Sequence, residues 1–338
     1  MSFQTLNYPS HTLISYVNTP RTLYKARSFE SFQVQASPPS SIILNADESG
    51  KFPDNNSNKK LHGSSNLASA SPLVSQASGV GIIGGASVDA TLKFLRKLVE
   101  LSSEDDDDDD GGDSLPFVLC SDPVLNKELL AYDKSYFHHS GRMMKAENLK
   151  LDSSPIVHKI RNKRVFLEKS GASCIVMPCH LSHSWYEQVS KECSVPFLHM
   201  AECVAKELKE AKLKPLEAGS PLRIGLLATN ATLAAGFYQE KLQNQGFEVM
   251  VPDKATMEHT VIPAIEALKR KDMEGACNLL RIALQVLLVR AVNSVVLASD
   301  DMWDLLPQDD PLLKKCVDPM DALARSTIKW VKSCAEKT

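Results

Sequence analysis

The chain has no run approaching the ~20 consecutive apolar residues of a membrane-spanning helix, although 43% of its 338 residues are hydrophobic and support a real core. It also lacks an excess of positive charge. A formal net charge of -3 offers no basic stripe to a nucleic-acid backbone, and the acidic run from Glu104 to Asp110 works against one. That run lacks the spacing of a calcium loop and reads as a solvated surface loop, because neighbouring like charges repel. Eight cysteines, at 120, 174, 179, 193, 203, 277, 316 and 334, include no CxxC pair. They suit a reduced compartment better than a disulfide framework.

Acids are almost missing from the first 45 residues, where Glu30 stands alone among Ser and Thr residues, Arg21, Lys25 and Arg27. The absence of a continuous apolar stretch there argues against a secretory signal, and the composition is that of an organelle transit peptide. The chloroplast is the expected destination, with the mitochondrion second. A Ser/Asn-rich stretch continues to about Ser78 and is read as a flexible linker unable to bury a core.

From Gly79 onward, short apolar runs alternate with helical patterns. The strand candidates are Val80 to Ile83, Phe117 to Cys120, Cys174 to Met177, Phe197-Leu198, Arg223 to Thr229, Glu248 to Val251 and Ser294 to Leu297. Helices are expected over about Asp89 to Leu101, Leu233 to Gln245, Val261 to Lys271 and Met273 to Ala291. Alternation of this kind indicates an α/β fold with parallel sheets covered on both faces. The two halves also resemble one another: Gly81-Ile82-Ile83-Gly84-Gly85 corresponds to Gly225-Leu226-Leu227-Ala228-Thr229, and Ile175 to Cys179 corresponds to Val295 to Ser299. The expectation is two similar Rossmann-like or flavodoxin-like domains facing each other across a cleft, related by a pseudo-twofold axis. The boundaries read as 1-78 for leader and linker, 79-203 with 310-338 for the first domain, and 204-309 for the second.

Two strand ends carry the chemistry, because open α/β sheets bind ligands at the carboxyl ends of their strands. One ends in Met177-Pro178-Cys179-His180-Leu181-Ser182-His183, the other in Ala298-Ser299-Asp300-Asp301. A helix N-terminus just after Cys179 would favour its thiolate, and His183 is a candidate to assist it. A zinc reading of Cys179, His180 and His183 lacks a second ligand pair at matching spacing. Gly79-Val80-Gly81-Ile82-Ile83-Gly84 fits GxGxxG, but its apolar residues fall inside the motif instead of before it, so no nicotinamide cofactor is expected. The Gly84-Gly85 amides are candidates to approach an anion, with Ser87 capping the next helix. Thr229, Asn230 and Thr232 form a candidate carboxylate cradle, with Thr232 as a plain helix cap the competing explanation. The His138-His139 pair reads as loop.

These residues resemble the aspartate/glutamate racemase family of cofactor-independent amino-acid racemases over nearly all of Gly79 to Trp330. The matching elements are Gly81 to Gly85, Met177-Pro178-Cys179 with His183, Gly225 to Thr232 with Gly236-Phe237-Tyr238, and Asp318-Pro319. The resemblance implies two α/β domains enclosing the substrate, a homodimer, no cofactor and no metal, and two cysteines flanking the α-carbon. It aligns Ser299 with the second cysteine, His180 and Leu181 with a carboxylate-binding Asn-Thr, and Lys127 with an arginine after the second strand. The implied substrate is a small acidic amino acid or dicarboxylate, interconverted by α-proton exchange, with Cys179 on one face and Ser299, or Asp300 or Asp301 through it, on the other. Without pyridoxal phosphate as an electron sink, donors around the carboxylate must stabilise the developing charge. A one-cysteine decarboxylase, a dicarboxylate cis/trans isomerase and a non-catalytic binding protein are the alternatives.

Overall fold

Two parallel sheets of four strands each organise the chain in the computed structural model, which describes residues 41–45, 79–104, 115–137, 152–216, 219–300 and 302–335. The first half runs β1 (Ser41–Asn45), β2 (Val80–Ile83), α1 (Val88–Glu104), β3 (Phe117–Ser121), α2 (Pro123–Phe137), α3 (Ser154–Lys169), β4 (Cys174–Val176), α4 (Tyr186–Ser190) and α5 (Met200–Glu210). The second continues with β5 (Arg223–Ala228), α6 (Asn230–Ala235), α7 (Phe237–Gln243), β6 (Glu248–Met250), α8 (Lys254–Thr256), α9 (Ile262–Lys269), α10 (Met273–Leu288) and β7 (Ser294–Ala298). It closes with β8 (Cys316–Val317) and α11 (Pro319–Ala335). The acidic run beyond Glu104, the His138-His139 pair and the leader before Ser41 lie outside the described residues.

The central strands are apolar runs because helices cover both of their faces, which leaves no solvent side to pattern. β2 and β4 are buried throughout, and β5 and β7 are buried after their first residue. The sheet orders are β1-β3-β2-β4 and β6-β5-β7-β8. The triplets β3-β2-β4 and β6-β5-β7 have the same topology, so the internal correspondence in the sequence is a structural one. In each, the chain goes to one side of the first strand and then to the other. That reversal opens a crevice at the carboxyl ends of β2 and β4, and of β5 and β7.

Several elements differ from the sequence reading. The stretch before Gly79 is not featureless, since Ser41–Asn45 pairs in parallel with β3. Phe197-Leu198 makes only a bridge: Ile175 N–H donates to the Pro196 carbonyl (2.9 Å) and Leu198 N–H to the Ile175 carbonyl (3.0 Å). The helix expected from Leu233 to Gln245 breaks into α6 and α7 at Gly236, whose φ of 75° is left-handed and ends the first helical turn sequence. α9 starts behind a π-helical turn at Met257–Val261. Ser87 does cap α1, its Oγ accepting from Ala90 N–H at 3.1 Å.

One buried cluster crosses both sheets, joining Val80, Ile82 and Phe94 to Leu226, Tyr238 and Val296 and to Ala322 and Leu323 of α11. α11 packs against both α1 and α5, while β8 extends the second sheet. Each fully buried side chain of this size contributes about 1.5–3 kcal/mol, so the shared core fixes one half against the other. The outer faces have their own clusters, around Val118, Ile160 and Ile175 in the first half and Leu227, Leu284 and Val295 in the second.

Candidate active site

Cys179 leaves the end of β4 through Met177-Pro178 and is 1% exposed. The chain turns directly into a 3-10 helix, Leu181–Trp185, after His180. This local geometry brings backbone donors to the sulfur. Ala86 N–H points at Sγ across the β2 end (3.4 Å), and both the hydroxyl and the amide of Ser182 also favour the thiolate. Burial nevertheless dominates and, with the charge of Asp300, pushes the thiol up to about 11.

Gly85 exists to make room for that thiol. A Cβ built on it would lie 2.0 Å from the Cys179 Cβ and 2.5 Å from Sγ. The neighbouring Gly84 amide is already committed, donating to the Cys120 carbonyl at 2.9 Å. An anion-binding role for Gly84 therefore gives way to a structural one at the β2–β3 edge.

The second half reaches the same place. Ala231 at the start of α6 belongs to the buried cluster that holds Cys179, and α6 packs against the Leu181–Trp185 turn and α2. The helix starts earlier than its sequence suggests, so its cap is Thr229: Oγ accepts weakly from Thr232 N–H (3.4 Å) and donates to Thr232 Oγ1 (3.3 Å). Thr232 is buried in the first turn, and Asn230 sits half-buried beside the cap. Ser299 is half-buried just past β7, with its carbonyl accepting from Met302 N–H (3.4 Å). Asp301 lies outside the described residues.

His180 and His183 part company. His180 Nδ1 bonds the Tyr238 hydroxyl at 2.9 Å, and its Nε2 lies 3.7 Å from Asp300 Oδ1, so it joins the end of β4 to α7 and the end of β7. Burial, then His183, lowers it to about 3. His183 instead donates from Nε2 to the Met177 carbonyl (3.0 Å), which locks the strand exit, and its ring packs 4.8 Å from that of His199. Burial holds it well below its ordinary value. Lys127 is exposed on α2.

Three contributors escaped the residue pattern. Ser182 and the Ala86 amide touch the thiol only because the turn after Cys179 folds back over the β2 exit. Tyr238 is buried against His180, and burial with the charge of Asp300 holds its hydroxyl protonated well above the ordinary tyrosine range. Below them, Asp122 at the end of β3 forms a fully buried ion pair with Lys163 of α3. Losing one member of such a pair strands the other charge, at a cost of about 3–5 kcal/mol. Among the described residues no group of three or more His, Cys, Asp or Glu side chains is arranged to hold a metal ion. A separate cavity of about 410 Å³, lined by Leu198, His199, Glu202, Cys203, Lys206 and Trp330 among others, contains none of Cys179, His180, His183, Ser299 or Asp300.

Paired α/β sheets with a buried thiol at one switch point and a hydroxyl-carboxylate pair at the equivalent strand end define a class of two-half enzymes with the site at the strand ends. The chain belongs to the Asp/Glu/Hydantoin racemase family, whose model matches residues 83–327, and it is thereby an isomerase. It is 26% identical over 181 residues to the broad specificity amino-acid racemase RacX of Bacillus subtilis, covering 53% of this chain and 73% of that one. The Picrophilus torridus aspartate racemase structure is similar with a TM-score of 0.55 at 26% identity, over 75% of this chain and 94% of that one. An aspartate racemase homologue from Pyrococcus horikoshii shares the fold with a TM-score of 0.58 at 21% identity, over 75% and 99%.

Proposed function

We propose that this protein interconverts the L and D forms of a small acidic amino acid, aspartate or glutamate, by exchanging the α-proton without a cofactor. The observation that carries this reading is the seat of Cys179: a thiol at the β4 exit, cleared by Gly85, touched by Ser182 and the Ala86 amide, and within the field of Asp300 just past β7. Inversion needs an acid and a base on opposite faces of the α-carbon. Cys179 serves one face, and the β7 exit, at Ser299 with its acidic neighbours, serves the other. Asn230 and the Thr229–Thr232 cap hold the substrate carboxylate at the start of α6. The relatives named as an aspartate racemase and a broad specificity amino-acid racemase support this substrate class.

The test is incubation of the purified protein with L- and D-aspartate and L- and D-glutamate in deuterated water. Loss of the α-proton signal with appearance of the opposite enantiomer is the expected result, and Cys179→Ala abolishes the appearance of the opposite enantiomer. Absence of α-exchange on all four would overturn the reading. The assembly is proposed to be a homodimer, checked by its mass in solution from sedimentation equilibrium. The proposed plastid location is checked by imaging the full chain fused to a fluorescent protein.

A further inference from the structure

The side chain at the β7 exit with the right chemistry for the second face is not the one that aligns with a cysteine. Ser299 offers an alcohol, which is far too weak an acid to alternate between protonated and ionised forms beside a thiol. Asp300 follows it. Its charge is near enough to raise the Cys179 thiol and the Tyr238 hydroxyl, and Oδ1 lies 3.7 Å from His180 Nε2. His180 is itself held by Tyr238 at 2.9 Å and is 3% exposed. The residue next to Cys179 thus reaches across to the opposite strand end.

Resting on the racemase reading above, we propose that Asp300 is the second proton carrier of this enzyme, and that His180, oriented by Tyr238, is the residue that positions it. With the Tyr238 hydroxyl donating to Nδ1, the imidazole carries its proton on Nε2 and presents it to the Asp300 carboxylate. The 3.7 Å separation is long for a hydrogen bond and shortens when substrate closes the site, as catalytic contacts commonly do. In one direction the Cα–H bond breaks, its proton passing to the Asp300 carboxylate and its electron pair into the substrate carboxylate. The Cys179 S–H bond then breaks on the opposite face, its proton forms the new Cα–H bond, and the sulfur is left as thiolate. The reverse direction runs the same transfers backwards, and solvent returns a proton from the acid form of Asp300 to the thiolate between turnovers. The electrostatics agree with this division: burial, then the charge of Asp300, keeps Cys179 a thiol in the resting site. Carboxylates serve as carbon-acid bases elsewhere, in ketosteroid isomerase for example.

The experiment follows each enantiomer of aspartate and glutamate separately in deuterated water. Wild type exchanges and inverts both enantiomers. Asp300→Asn is expected to lower racemisation by about 10²–10⁴-fold while one enantiomer still exchanges its α-proton with retention, through Cys179. Cys179→Ala should show the mirror pattern, with exchange surviving on the other enantiomer. His180→Leu should slow the same enantiomer as Asp300→Asn and spare the other, a selectivity that general structural damage does not produce. Racemisation by Asp300→Asn at the wild-type rate, or loss of exchange on both enantiomers in that variant, overturns the assignment of Asp300 while leaving the racemase reading intact. Wild type that exchanges nothing overturns the racemase reading and this one with it.

Discussion

At Gly85 a single missing methyl group decides whether the thiol has a place. Gly85→Ala would put a Cβ 2.0 Å from that of Cys179, a distance that backbone on both sides cannot relieve without moving the β2 and β4 exits. A displacement of about 1 Å at a reacting group costs about 10²-fold in rate. The expected outcome is a loss of that order in α-proton exchange, read by NMR beside a thermal melt, and a wild-type rate in a normally folded Gly85→Ala protein would contradict the geometry. The same scale separates the two histidines. Both follow Cys179 within four positions, and the sequence offers no way to tell the one that reaches Tyr238 and Asp300 from the one that locks the Met177 carbonyl.

Among the elements, the α6–α7 pair shows how local rules place a site. Thr229 caps α6, and Gly236 ends it in a left-handed conformation with nothing within 4 Å of a Cβ built there. The cost of a side chain at Gly236 is therefore backbone strain alone, about 1–2 kcal/mol. Gly236→Ala is expected to lower stability by that amount in denaturant unfolding, and Gly236→Asn by less, since Asn tolerates the conformation better. Equal stability of all three would show that the break does not depend on the glycine. The break matters because it turns α7 so that Phe237 and Tyr238 face the shared core and His180. A continuous helix over Leu233 to Gln245, as the apolar pattern suggests, would carry them along a different line.

For the whole molecule, three buried histidines make the fold sensitive to mild acid. His180 and His199 are lowered to about 3 by burial, and His183 falls well below its ordinary value of 6.5 for the same reason. Unfolded, each takes up a proton near pH 6.5; folded, His180 and His199 stay neutral until near pH 3, and His183 stays neutral well below 6.5. Unfolding therefore binds protons in that window, and stability present above pH 6.5 is lost as the pH falls toward 3. Each histidine contributes up to about 1.4 kcal/mol per pH unit. Urea midpoints should decline from neutral pH through pH 6 to pH 5, above the range where ordinary carboxylates titrate, and a flat profile there would contradict burial of the neutral rings. The cause is distributed over the molecule, because these rings pack with Tyr186, Phe237 and Tyr238 between elements of both halves.

The class of fold and the repeat of β2–β4 in β5–β7 were determined by the sequence alone, which also singled out Cys179 as the candidate. Apolar runs that end in small polar residues arise from strands buried on both faces, and that pattern is written in consecutive residues. The tertiary structure decided the rest: which histidine faces Asp300, that Gly84 serves the sheet while Gly85 serves the thiol, that Thr229 is the cap, and that Ser41–Asn45 has a strand to pair with. These depend on residues far apart in the chain meeting within a few ångströms, where burial and the reach of single side chains set the chemistry, and no local pattern encodes that meeting.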